Sequence, residues 1–470
     1  RAIFYCLARY NSIHRVIEDQ TPSSEIKVKV VDSSHINVEM LKQNEKLLPV
    51  NYVEVEKDAT VSSAFNALVV GFSEVGMDAT RFLYEFGAFV KHGSTDSEAV
   101  RSEFHLDVVD KNMADLAGTF VANAPAIKPE MPFLNNKGGN ADKPMEECKS
   151  NDAKTPLITL HQMDCRSVQF YEKLTDEWIQ KLNYVVVATD DDELNLSLGV
   201  RIFKAAARYR QDLEHFCILV RAHNDDDGHI NSIAAHYNRL WEAYRHAPET
   251  KEGRVYQNKI KPTDVVNGPI YVFGLDKTTF TYDNIIADEL EQNARTYADN
   301  YTKTVYPDTK IDKSAWEDRY NRIMQLTGNN KGYSPTYCGM LYLRRSQSQD
   351  LANSLHETTK NILFNKALSR CHLEDFVFSR ITRKPDTTRY IWPRDCDRIE
   401  EIDRIAIVIA QTEHLRWIAS HEILGYVLSD VKDEVRFQHN CLKNWAELTE
   451  RYRGFDCNVS DYILGIQFSR

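Results

Sequence analysis

The residues best placed to do chemistry close an apolar run. Tyr184-Val185-Val186-Val187-Ala188 leads straight into Thr189, Asp190, Asp191 and Asp192, with Asn195 three positions on. Such a run is a buried strand, and the acids stand at its carboxyl end, where open α/β sheets bind ligands. A hydroxyl and carboxylates there accept hydrogen bonds from a polar ligand edge, and Asp191 or Asp192 can cap the helix that follows. A second group is Gly71-Phe72-Ser73-Glu74-Val75-Gly76, between the apolar run 65–70 and a helical pattern over 77–89. A glycine turn in that place aims backbone N–H groups and the positive end of a helix at one point, which suits a pyrophosphate. Ser73 replaces the middle glycine of the usual GxGxxG, so the segment also reads as a tight structural turn. The third group is Asp110, in Val108-Val109-Asp110-Lys111-Asn112, at the end of a second strand where a carboxylate accepts ribose hydroxyls. It lies 34 residues beyond Gly76, against roughly 20 in the usual spacing. The polar run 91–102 is read as the insertion responsible, and a solvated strand-end acid is the other reading of Asp110.

These groups need a scaffold. The pattern predicts a helix over 2–18, a strand over 25–32, a helix near 38–44 and a short strand over 51–55. The central block predicts strands at 65–70, 104–109, 156–161, 184–188 and 216–220, with helices at 167–181 and 194–209 between them. Alternation of strand and helix implies a parallel sheet covered on both faces. Residues 123–154, with Lys137-Gly138-Gly139-Asn140 at their centre, read as a surface insertion. A further strand is expected at 269–274 and a polar helix at 282–301. From residue 313 the pattern turns mostly helical, the longest candidate covering 400–423.

Length and composition set bounds on the function. A chain of 470 residues with 42% apolar and 27% charged residues is globular and long enough for about three domains. The net charge of −11 argues against wrapping a nucleic-acid duplex, which takes clustered Lys and Arg. Nine scattered cysteines without a CxxC pair fit a reducing compartment. No stretch reaches the ~18 apolar residues of a membrane span. The first residue is Arg1, so an upstream portion carrying membrane helices is one expectation, and loss of a short start is another.

Residues 65–223 resemble the nucleotide-binding domain of potassium-uptake regulators, the TrkA-N or RCK family. The resemblance rests on the glycine turn, Val109-Asp110, Met163-Asp164, and Ala188-Thr189-Asp190-Asp191 with Asn195, in that order. Arg221 matches a family position that faces the ligand or a neighbouring subunit. Ser73 and the two insertions depart from the pattern. The resemblance implies a site that includes Lys111 beside Asp110 and holds NAD(H) or an adenine nucleotide. Binding would change the geometry of a homo-oligomer without turnover. No His-Asp pair at a useful sequence spacing follows the sheet, in keeping with a site that is not catalytic.

In the helical candidate 400–423, Glu413, Trp417 and His421 fall on one stripe, with His414 and Arg416 beside it. An aromatic ring, a carboxylate and imidazoles on one face can line a pocket. They equally describe an amphipathic core helix. Glu413-His414-x-Arg416-Trp417, then Gly425-Tyr426, and later His439 with Trp445 resemble the Ryr domain of ryanodine receptors and its bacterial relatives over 360–461. That resemblance implies a pocket for a small, nucleotide-derived ligand. The basic cluster Arg380, Arg383, Lys384, Arg389 and Arg394 is a second place for an anion.

The expectation is therefore an α/β segment over 1–62, as the end of a first Rossmann-like unit. A doubly wound Rossmann-like domain over 63–305 and a helical, Ryr-like part over 306–470 complete the chain. Together they describe a cytoplasmic ligand sensor at the inner face of a membrane, acting on ion transport. An NAD-dependent oxidoreductase on the same sheet is the runner-up, followed by a scaffold that only assembles.

Overall fold

A computed structural model describes residues 2–7, 26–31, 33–56, 60–93, 99–135, 157–210, 214–245, 249–250, 253–254, 268–287, 401–433, 435–449, 452–453 and 456. Its first element is a strand, β1 (Ala2–Leu7), paired in parallel with β2 (Ile26–Val31). The helix expected to start at residue 2 is absent there, because Ile3, Phe4 and Tyr5 suit a pleated ladder and β2 supplies one. Helix α1 (Ser33–Gln43) follows. The strand expected at 51–55 is instead a 3-10 turn, Pro49–Tyr52, opened by Pro49, and only Val55 makes a bridge, to Val61. Val38, Leu41, Leu47, Leu48, Val50 and Tyr52 join the same core as the central sheet.

That sheet has six strands, all parallel. In chain order the elements are β3 (Phe65–Val70), α2 (Glu74–Phe86), β4 (Val90–His92), β5 (Ala99–Arg101), β6 (Phe104–Asp110) and α3 (Met113–Asn123). Then come β7 (Leu157–Gln162), α4 (Val168–Lys173), β8 (Tyr184–Val187), α5 (Asp192–Tyr209), β9 (Cys217–Arg221), α6 (His229–Arg245) and β10 (Ile270–Phe273). The spatial order is β10-β9-β8-β3-β6-β7. Read from β3 outward, this is the 3-2-1-4-5-6 order of a doubly wound sheet, whose direction reverses between β3 and β8. Alternate residues face opposite cores. Ala67, Val69, Leu106, Val108 and Val186 pack with α1, α2 and α3, while Leu68, Val70, Val109, Val185 and Val187 pack with α4, α5 and α6. Burial on both faces is why β8 reads as an unbroken apolar run and β3 as nearly one.

Several connections differ from expectation. At the two ends of the run 91–102, β4 and β5 pair antiparallel. The helix expected over 167–181 is α4 continued by a π-helical turn, Leu174–Trp178. Helices α3 and α6 fill crossovers that the sequence pattern left unassigned. Of the insertion 123–154, Glu130 bridges Thr159 and Pro132–Asn135 forms one helical turn. Its Lys137-Gly138-Gly139-Asn140 lies outside the described residues, as does the basic cluster Arg380 to Arg394. The helix expected over 282–301 is described as the π-helical Asp283–Ala287.

The C-terminal part is α7 (Glu401–Ile423), then two short parallel strands, β11 (Val427–Leu428) and β12 (Gln438–His439). Helix α7 lies against α2 and the β4–β5 pair. The side of the molecule opposite the strand ends is tied by Asn183, whose Oδ1 accepts from Asn66 N at 2.8 Å while its Nδ2 donates to Tyr52 O at 2.8 Å. Removing that side chain leaves a buried donor and acceptor unsatisfied. We expect Asn183→Ala to lower stability by about 2 kcal/mol, read as a fall in the urea midpoint without a change in slope.

Candidate functional site

Strand register brings the chemistry together. Val70 pairs with Val109 and with Val187, and Val187 pairs with Val220. The next row is therefore Gly71, Asp110, Ala188 and Arg221, and Asp110 pairs with Gln162, the residue before Met163. Four loops expected to share a site thus leave one sheet edge, around the point where the strand order reverses.

The glycine turn is built by close approach. Gly71 has φ +95°, and a Cβ on it would stand 2.6 Å from Ala188 O. On Gly76, a Cβ would stand 1.9 Å from Gly71 O, so the first turn of α2 sits directly on the glycine. Phe72 is fully buried against Phe120. Ser73 is the N-cap residue of α2, but its hydroxyl turns away and donates to Asp190 Oδ1 at 3.3 Å. The leading N–H groups of α2, around Glu74 and Val75, lie outside the intrahelical ladder, as at any helix start. Glu74 itself is exposed and accepts from Ser34 Oγ at 3.2 Å.

Asp110 faces this turn. Its Oδ2 accepts from Phe72 N at 2.8 Å and its Oδ1 from Asn112 N at 2.7 Å. An ionised carboxylate has about four lone-pair sites, so two remain for a ligand hydroxyl. Asn195, fully buried, staples the neighbouring loops. Its Oδ1 accepts from Thr189 N and Thr189 Oγ1, and its Nδ2 donates to Thr189 O and Arg221 O. Asp191 caps α5 through Leu194 N at 2.9 Å.

Sequence reasoning missed His223, and offered Asp192 only as one acid of the run and a candidate helix cap. Asp192 accepts from the backbone N of His223 at 2.8 Å and lies 2.9 Å from its Nδ1, while Arg221 Nη2 is 2.6 Å from His223 Nε2. A guanidinium only donates, so Nε2 accepts and the ring hydrogen sits on Nδ1, toward Asp192. Arg221 Nη1 also reaches Asp190 Oδ1 at 3.5 Å. A polar chain therefore crosses the edge: Ser73, Asp190, Arg221, His223, Asp192. The pair Asp192 and His223, 31 residues apart, is the His-Asp pair that sequence spacing did not reveal. Only adjacency of parallel β8 and β9 makes them neighbours.

At the β7 end, Met163 is buried and Asp164 is engaged with Arg166 through Nε at 3.0 Å and Nη2 at 2.9 Å. Those hydrogen bonds, with a smaller contribution from Lys111, hold the Asp164 carboxyl down at about 2.

In α7 the expected pocket residues divide between two neighbourhoods. Arg416, fully buried, donates from Nε and Nη2 to Glu413 at 3.0 and 2.8 Å and from Nη1 to Glu85 Oε1 at 2.6 Å. Burial would lower its pKa, and the two carboxylates more than offset that and raise it. Tyr84 OH donates to Glu422 Oε2 at 2.6 Å. Glu413 and Arg416 thus belong to the contact with α2. His414, Trp417, His421 and Tyr426 instead gather with His439 and Phe437. Ring centroids are 3.9 Å apart for Trp417 and His421, 4.9 Å for Trp417 and His439, and 5.2 Å for His421 and Tyr426. His414 Nε2 donates to Lys443 O at 2.8 Å. Phe437 has φ +53°, a left-handed conformation costly for a bulky residue. Burial, then the neighbouring His439, pushes the His421 imidazole down to about 3.

No protein-family model, curated protein or solved structure matches the chain. The sheet edge itself presents a glycine turn, the start of α2 upon it, and a carboxylate, Asp110, hydrogen-bonded to that turn.

Two outcomes follow. Gly71→Ala combines a disfavoured φ with a clash on backbone, and we expect it to abolish the cooperative unfolding transition or lower its midpoint by more than any surface substitution, read by circular dichroism. The His421 value lies below the unfolded ~6.5, so the unfolded chain takes up the proton first and stability present above pH 6.5 is lost as pH falls toward 3. The loss is up to about 2 kcal/mol by pH 5, and His421→Gln should flatten that part of a urea-midpoint-against-pH profile.

Proposed function

We propose that this chain is a nucleotide-sensing regulatory protein. A TrkA-N (RCK)-type sheet binds NAD(H) or an adenine nucleotide, and a Ryr-type unit takes a second, nucleotide-derived small ligand. The whole acts within a homo-oligomer on potassium or other ion transport at the inner face of a membrane. The observation that carries the reading is the glycine turn at the reversal of strand order, with Asp110 hydrogen-bonded to it and α2 starting directly on it. Among the described residues no helix is long and apolar enough to cross a membrane.

Thermal unfolding with ADP, ATP and NADH tests it. A ligand at a hundredfold excess over its Kd stabilises the folded state by about 2.7 kcal/mol, and we expect at least one of the three to raise the melting temperature. Ser73→Asp, which gives α2 a favourable N-cap while placing a carboxylate where the phosphates would lie, should retain the fold and lose the shift. Absence of any shift in the parent protein would sink the reading.

The Asp192 and His223 pair favours a second reading, an NAD-dependent oxidoreductase, since an imidazole oriented by a carboxylate is the usual form of a general base, here one whose Nε2 Arg221 would first have to release. It predicts nicotinamide absorbance changes with turnover that His223→Ala removes.

A further inference from the structure

We infer that α2 links the two candidate sites mechanically, with the buried Arg416 contact as its far anchor. As a link between ligands this rests on the nucleotide reading above, but the contact itself does not. Helix α2 is buried along most of its length and begins on the glycine turn, where Gly76 leaves no room between helix and turn. Thirteen residues make a rod of about 20 Å. At its other end Tyr84 and Glu85 hold α7 through Glu422 and Arg416.

On α7 the residues of that contact alternate with those of the aromatic–imidazole cluster. Glu413 and Arg416 face α2, and His414 and Trp417, one position on, face the cluster; His421 of the cluster precedes Glu422 of the contact. Repacking of Trp417 by a ring-shaped ligand therefore turns the helix that carries Arg416. The contact cannot follow by sliding. Three guanidinium donors are matched to two buried carboxylates, and separating one partner leaves a buried charge uncompensated. The β4–β5 pair backs the same contact, with Arg101 close enough to Glu422 and Tyr84 for their charges to act on it. Burial lowers the Arg101 guanidinium and raises the Glu422 carboxyl. A shift at either end of α2 is thus passed on as rigid movement.

Hydrogen–deuterium exchange on the full chain tests this, with Tyr84→Phe/Glu85→Gln as the perturbation. Both changes keep side-chain volume. We expect amide protection to fall about tenfold in residues 408–423 and also in residues 72–78 at the opposite end of α2, with β8 and β9 unchanged. Tyr84→Phe alone, should the double variant not fold, gives the same pattern at smaller amplitude. Loss confined to α7, or loss shared equally by the strands, overturns the inference. In the second arm, ADP at saturating concentration should protect 72–78 in both proteins but 408–423 only in the parent. Equal protection of 408–423 in the variant, or none in the parent despite protection of 72–78, overturns it as well. If ADP protects no segment, the nucleotide reading falls for that ligand, and the first arm alone decides the linkage.

Discussion

Two glycines set how near three elements come to one another. A side chain on Gly76 would overlap the carbonyl of Gly71, and one on Gly71 would overlap the carbonyl of Ala188. Helix α2 therefore starts in contact with its own turn, and the turn in contact with the end of β8. From this closeness follows the burial of Phe72, the hydrogen bond from its N–H to Asp110, and the reach of Ser73 to Asp190. The direction of α2 follows too, and with it the place where Glu85 meets Arg416. Larger residues in the turn would separate the loops and dissolve the edge on which the proposed nucleotide contacts depend.

What could be read in the sequence was what is encoded locally. Strands β3, β8 and β9 are largely apolar runs because both faces are covered, and all six strands of the sheet were expected to within a residue or two. The edge was legible because parallel strands of similar length end together, so motifs at strand ends become neighbours without further information. Residues 2–7 went the other way. Their apolar spacing suited a helix, and only the partner strand β2, some twenty residues on, makes an extended conformation pay off. Pro49 marked the start of a 3-10 turn where alternation suggested a strand.

The site was less legible than the fold wherever function depends on pairs far apart in the chain. His223 and Asp192 belong to different strand ends, and nothing in their spacing announces the contact. Glu85 carried a faint signal, a carboxylate inside the apolar run Phe82-Leu83-Tyr84-Glu85-Phe86, which demands a buried partner. The partner is 331 residues distant. Asn195 illustrates the opposite case: its position in the motif was plain, but its four hydrogen bonds tie Thr189 to Arg221 and leave its amide turned into the fold.

The choice of an ionic contact between α2 and α7 also bears on what the molecule does. An apolar seam would hold the two helices as firmly, since a buried ion pair gains little over well-packed hydrocarbon once desolvation is counted. Hydrocarbon surfaces, however, tolerate small displacements with little change in energy, whereas the bidentate Arg416–Glu413 pair and its third bond to Glu85 fit one arrangement. Such a contact either holds or breaks. A helix fixed in that way at one end, and by two glycines at the other, has few intermediate positions, which is what the proposed sensor would require of the element between its two candidate sites.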